Sequence, residues 1–287
     1  MSFITDISLL RGLNLTPSLR PHGSNILTKC TKTVSPAQAK ALEQICSEYI
    51  SFEKNYSLFL AGTITLRCFL GKLELYYALI RRSNINVFSH QSDFLSSLLP
   101  EFLLVTLQKL LQDPKNCFSF LKPVAQTELG IELNFNISNA GTFILQKKRM
   151  DLAICSDNTI VFNSYPLAFQ IPVLCAEIKT NIDKNMLFGI ESSVETLKRT
   201  FPKVQYFAIG EFCDFDSESL NYASTGIDEI FILRRQKRSD KRSSSHISPI
   251  SIDVLERLIF LIEKHLRSAV LTMPSLNKRM KTGVLTK

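Results

Sequence analysis

VLCAEIK, residues 173–179, is an apolar, β-branched run that ends on two charges. The alternation of a strand puts Glu177 and Lys179 on one face, about 6.6 Å apart along the chain, with Ala176 and Ile178 on the other. A carboxylate and an ammonium at the end of a buried run are costly unless they are paired or bind something. Upstream, KKRMDLAIC, residues 147–155, sets Asp151 inside another strand directly after three cations. Two carboxylates and a lysine converging at one sheet edge form a hard-oxygen site suited to Mg²⁺. A surface ion pair is the plainer reading of Glu-x-Lys taken alone.

Around these two runs the chain changes texture at Asp113. Before it, Ser35 and Pro36 open a helix over 36–56 that lines up Leu42, Ile45, Cys46 and Tyr49. Leu58–Ile80 and Phe94–Leu111 are helical by length and Leu content, with Pro100 as a kink or restart. After it, short β-branched runs predict strands at Ile131–Ile137, Thr142–Gln146, Met150–Cys155, Thr159–Phe162 and Ile171–Ile178. An amphipathic segment, Met186–Thr200, stops before Pro202, and two further strand-like runs follow at Val204–Ile209 and Glu229–Arg234. Ser248 and Pro249 precede a last helix with Leu255, Leu258, Ile262 and Leu266 on one face. The expected class is α/β: a mixed central sheet flanked by helices, with a helical N-terminal region.

The 287 residues are 45% hydrophobic and 21% charged, enough apolar content for a sizeable core and too much for a disordered chain. The net charge of +8 is unevenly spread, with 13 Lys and Arg against 4 Asp and Glu from Arg234 onward and a near-neutral body before it. Arg234–Arg242 alone holds six cations, a pattern that suits a phosphate backbone and equally a solvated loop. Seven dispersed cysteines without a C-x-x-C pair read as reduced thiols. No signal peptide and no run approaching about 18 apolar residues is expected, so the chain is taken as cytoplasmic, with no membrane partner. Nucleotide-cradling glycine loops, G-x-S-x-G and H-E-x-x-H are missing from the sequence, and His22, His90, His246 and His265 lie far apart.

The order helix, strands, helix, strand, with Asp151 and then Glu177-x-Lys179, resembles the PD-(D/E)xK nuclease core, Met150 standing where that motif has Pro. A closer resemblance lies in CAEIKTNIDKNMLFGIESSVETLKRTFP (175–202) and IDEIFILRRQKRS (227–239), which are similar to segments of the BbvCI-type restriction endonucleases. It spans residues 147–239, with a weaker echo at Leu99–Phe102. Members of that family are heterodimers that cut a short asymmetric DNA site.

This resemblance implies that Asp151 and Glu177 are Mg²⁺ ligands with the backbone carbonyl of Ile178, and that Lys179 orients or deprotonates the attacking water. Glu101 is implied as an extra carboxylate, with a solvated helix glutamate as the alternative. Lys198 and Arg199 would touch DNA phosphates, unless Lys198 merely pairs with Glu195. Arg234, Arg235, Gln236 and Arg238 would bind double-stranded DNA, with Arg and Gln suited to reading bases in the major groove. The acidic stretch Glu211–Glu218 reads as a solvated loop. The implied division is a helical region over 1–85, a nuclease core over 86–236, and a basic loop and packed helix over 237–287. The leading expectation is a prokaryotic type II restriction endonuclease subunit, cutting one strand beside a homologous, non-identical partner. The rivals are a homodimeric nuclease for structured or damaged DNA and a non-catalytic DNA-binding subunit.

Overall fold

The computed structural model describes residues 3–32, 35–87, 93–116, 118–136, 142–162, 165–215, 225–240, 247–269 and 281. Five helices come first: α1 (Phe3–Gly12), α2 (Pro21–Cys30), α3 (Pro36–Leu60), α4 (Leu66–Val87) and α5 (Asp93–Gln112). The sheet follows as β1 (Lys122–Asn136), β2 (Thr142–Phe162) and β3 (Tyr165–Ile182), then α6 (Lys184–Thr200), β4 (Gln205–Cys213) and β5 (Glu229–Ile232), and α7 (Ile252–Ala269) closes the chain. The five strands lie in sequence order, β1 to β3 antiparallel and β3 to β5 parallel, with α6 as the crossover that parallel pairing requires.

Local chemistry sets several boundaries. Ser35 and Gln38 form a complete capping box at the start of α3, and Asp183 caps α6 by accepting from the Met186 amide. The helix expected over 58–80 is instead split, because the chain turns after Leu60 through Gly62, whose φ of 79° suits glycine and ends α3. Three of the expected strands are one, since β2 runs unbroken from Thr142 to Phe162, and β1 begins at Lys122 rather than at Ile131. Helices α1 and α2 lie within the helical region expected over 1–85, where the sequence reading sets no separate bounds for them.

Two cores sandwich the sheet. On one face, Leu152, Ile154, Leu174, Ala176, Ile178, Phe207 and Ile209 pack with the buried side chains of α1 to α5 and with Leu255, Leu258, Ile262 and Leu266 of α7. On the other, Ala153, Cys155, Cys175, Tyr206 and Ala208 meet Leu187, Ile190, Val194 and Leu197 of α6. Each fully buried Leu or Ile contributes about 1.5–3 kcal/mol. The segment Phe94–Gln112 of α5, with mean hydropathy 1.4, is long and apolar enough to cross a membrane, contrary to the reading that no run approaches that length. It is 72% buried inside the fold, as a core helix is.

Candidate active site at the fork of the sheet

β2 and β3 pair as far as Leu152 and Ala176 and then part, β2 continuing along β1 and β3 along β4. The candidate residues sit at this fork. Asp151 Oδ2 accepts from the Ile178 amide at 2.9 Å, so a side chain takes over where the backbone ladder ends. Lys179 Nζ lies 2.9 Å from Glu177 Oε1 and 3.4 Å from Asp151 Oδ2, bridging the two carboxylates. The three side chains are half-buried. Burial works against the Lys179 ammonium, yet Asp151 and Glu177 outweigh it and hold its pKa above the ordinary lysine value.

A fourth residue, absent from the sequence reading, completes the group. Tyr206 on β4 donates to Glu177 Oε2 at 2.9 Å; burial, and then the adjacent Glu177 charge, push its phenol pKa far up, so it stays a donor. The parallel register Glu177↔Ala208 places Tyr206 two residues along on Glu177's face, and no local sequence pattern reveals that register.

The fork opens into a cleft of about 430 Å³ lined by Asn25, Ser96, Ser97, Gln126, Arg149, Asp151, Lys179 and Met186. A larger cavity of about 520 Å³ along β5 contains none of the candidate catalytic residues. Opposite Asp151, between the pairs Ala125↔Leu152 and Thr127↔Met150, Gln126 has a φ of 46°. Such a backbone costs a non-glycine residue about 1–3 kcal/mol. It also exchanges the strand faces: Leu152 and Ala125 pack on the helical side, whereas Met150 and Leu129 pack on the α6 side. Regular alternation would keep each pair together.

The donor set suits a hard cation. Two carboxylates and the Ile178 carbonyl are oxygen ligands of the kind Mg²⁺ takes alongside water and phosphate. Asp151 Oδ1 has no hydrogen bond among the described residues, and Lys179 already places positive charge between the carboxylates. No group of three His, Cys, Asp or Glu is close enough to hold a metal among the described residues, so water and substrate would supply the remaining positions.

Other candidates lie elsewhere. Glu101 is fully buried among the helices, where its carboxylate accepts from the His22 and Gly23 amides and from the Tyr49 and Tyr56 hydroxyls. It is neither a solvated glutamate nor a member of the cleft, because one carboxylate oxygen holds the start of α2 and the other the two α3 tyrosines. Arg234 is 1% exposed and pairs with Glu211 at 2.5 Å and Glu74 at 3.1 Å, and its guanidinium also donates to the Ser248 carbonyl. It cannot reach DNA. Glu211, read as part of a solvated loop, is likewise buried and also pairs with Arg81. Residues 216–218 of that stretch, and Lys241, Arg242 and the serine tract behind them, lie outside the described residues. Lys198 pairs with Asp228 at 2.7 Å rather than with Glu195. Gln236 is half-buried and accepts from the Ser248 amide, while Arg199, Arg235 and Arg238 are exposed.

A five-stranded mixed sheet in this order, flanked by helices, defines the restriction-endonuclease-like fold. Residues 91–250, more than half of the chain, match the model of the Bpu10I restriction endonuclease family, and the chain belongs to that family. Among solved structures, the chain is similar to one described as "native BbvCI A2B2 tetramer at low resolution". The likeness covers 88% of this chain and 98% of that one, with a TM-score of 0.61 and 24% identity, and it bears on the fold alone. No curated protein matches the chain.

Proposed function

We propose that this protein is a type II restriction endonuclease subunit that hydrolyses one strand of a short, specific double-stranded DNA site with Mg²⁺. The observation that carries this reading is the meeting of Asp151, Glu177 and Lys179 at the fork of the sheet in a chain of a restriction endonuclease family. Asp151, Glu177 and the Ile178 carbonyl would hold the ion. When bound, Mg²⁺ supplies Lewis-acid stabilisation of charge on the phosphate and eases deprotonation of water. Lys179 hydrogen-bonds the water and offsets charge on the phosphoryl oxygens, and Tyr206 fixes the Glu177 carboxylate. Water adds to phosphorus as the bond to the 3′ oxygen breaks, leaving a 5′-phosphate and a 3′-hydroxyl.

Residues 86–236 form the nuclease core in this reading, supported by the helical region 1–85 and by 237–287. Arg199, Arg235 and Arg238 are the exposed candidates for DNA contact, with Lys198 and Gln236 available only if their present partners let go. The protein works in a prokaryotic cytoplasm. The solved relative is named as an assembly of two kinds of chain, which supports a homologous but non-identical partner here. An asymmetric site also calls for one, because a two-fold symmetric dimer reads symmetric half-sites.

The test is co-expression with the product of the adjacent reading frame, followed by incubation of plasmid DNA with MgCl₂ or EDTA. Discrete fragments in MgCl₂ alone are expected, and Lys179→Ala should reduce the pair to nicking one strand. Double-strand cutting by a folded Lys179→Ala pair removes this site from the reaction. A smear, or cutting only at junctions, favours a nuclease for structured DNA, and tight binding without cutting favours a non-catalytic subunit.

A further inference from the structure

We infer that Gln126 and Arg149 together hold a backbone phosphate of the DNA in the cleft, and that the strained turn of β1 serves to aim the Gln126 amide at it. This rests on the nuclease reading above. Gln126 lines the cleft at Asp151's register position, and its φ of 46° is one that Gly or Asn adopts at less cost. The distortion has a local support in the Ala125 amide, which donates to the Ser18 carbonyl at 3.0 Å and ties β1 to the loop before α2.

Gln126 is half-buried as a residue, and its side-chain amide has no hydrogen-bond partner among the described residues. An amide that lines the cleft from a strained backbone position and is bonded to nothing in its own chain is open to a ligand from outside. Its neutrality fits the place. A cation beside Asp151 would pair with that carboxylate, and an anion would repel phosphate, whereas a carboxamide donates to a phosphoryl oxygen without competing for the metal ligand.

Arg149 supplies the charge. It lines the same cleft and lies opposite Glu128 in the β1–β2 register, but Glu128 is taken by Lys147 at 3.2 Å. The Arg149 guanidinium is therefore exposed and without an ion pair among the described residues. A guanidinium and a carboxamide lining one cleft offer two donors to a phosphodiester.

The test compares Gln126→Gly, Gln126→Glu, Arg149→Ala and Lys179→Ala in the full chain purified with its partner. Three quantities are read: the thermal midpoint, the affinity for a labelled DNA duplex in EDTA, and plasmid cleavage in MgCl₂. Gln126→Gly relieves the strained backbone, so its midpoint should hold or rise while cleavage falls about tenfold, the weight of one strong hydrogen bond. Gln126→Glu keeps the size and the backbone demand, and should weaken duplex binding in EDTA by a similar factor. Arg149→Ala should reduce the slope of log affinity against log salt by about one. Wild-type binding by Gln126→Glu at an unchanged midpoint overturns the inference, as does wild-type cutting by a folded Gln126→Gly. If Lys179→Ala cuts normally, the nuclease site itself is misassigned. If Lys179→Ala loses one strand's cut and the Gln126 variants behave as wild type, only the present inference fails.

Discussion

The value of a charge in this protein depends on where its side chain ends. Arg234 and Arg235 are adjacent in the densest basic stretch, yet one is locked at the centre of Glu74, Glu211 and Ser248 while the other is 62% exposed in its side chain. Replacing Glu211 with Ala leaves the half-buried Arg81 without its carboxylate and the buried Arg234 with Glu74 alone, and should cost about 3–5 kcal/mol in denaturant unfolding. A loss under 1 kcal/mol would mean that water reaches the cluster. His22 gives a second outcome. Burial pushes its pKa from 6.5 down to about 3, against a weaker pull from a backbone hydrogen bond at Phe94. Between those values the unfolded chain binds a proton that the folded one refuses, so stability falls as pH drops through the window, by at most about 1.4 kcal/mol per unit. Glu101, whose burial raises its own pKa, takes up a proton earlier in the folded state and opposes part of that loss. The unfolding midpoint of His22→Gln should therefore decline less between pH 6 and 4 than that of the native protein, and parallel curves would discount His22.

Among elements, the most informative is α5, whose Glu101 holds the first turn of α2 by its two open amides and so fixes the helix that carries Asn25 into the cleft. Glu101→Gln puts an amide donor among four donors and should lower stability by about 1–3 kcal/mol, while Mn²⁺ affinity measured by titration stays unchanged. A fall in metal affinity at full stability would restore Glu101 to the metal site. Periodicity made α3, α6 and α7 legible, because Leu42, Ile45 and Tyr49, or Leu255, Leu258 and Ile262, repeat at helical spacing. It also placed Asp151 and Glu177 on strands that prove to be neighbours. The role of Glu101 was illegible, since its partners are 45 to 79 residues away, and no sequence window contains an interaction of that range. Tyr206 was missed for the same reason, its value being set by strand register.

For the molecule as a whole, net charge proved a weaker guide than its distribution. Of the basic stretch after β5, Arg235, Lys237 and Arg238 are exposed. Neutralising these three together should make DNA affinity fall less steeply with salt, by up to about 0.9 in slope for each phosphate that a cation no longer meets. An unchanged slope would mark the stretch as mere solvated surface. The cluster around Arg234 has a different reach, since it gathers Glu74, Arg81, Glu211, Ser248 and the Ile250 amide, groups as many as 176 positions apart. Synthesis delivers Glu74 and Arg81 to solution long before their partners exist, so the nascent chain leaves the ribosome with this cluster unfinished. This polar tie between the helical layer and the chain beyond β5 can close only once the segment through Ile250 has emerged.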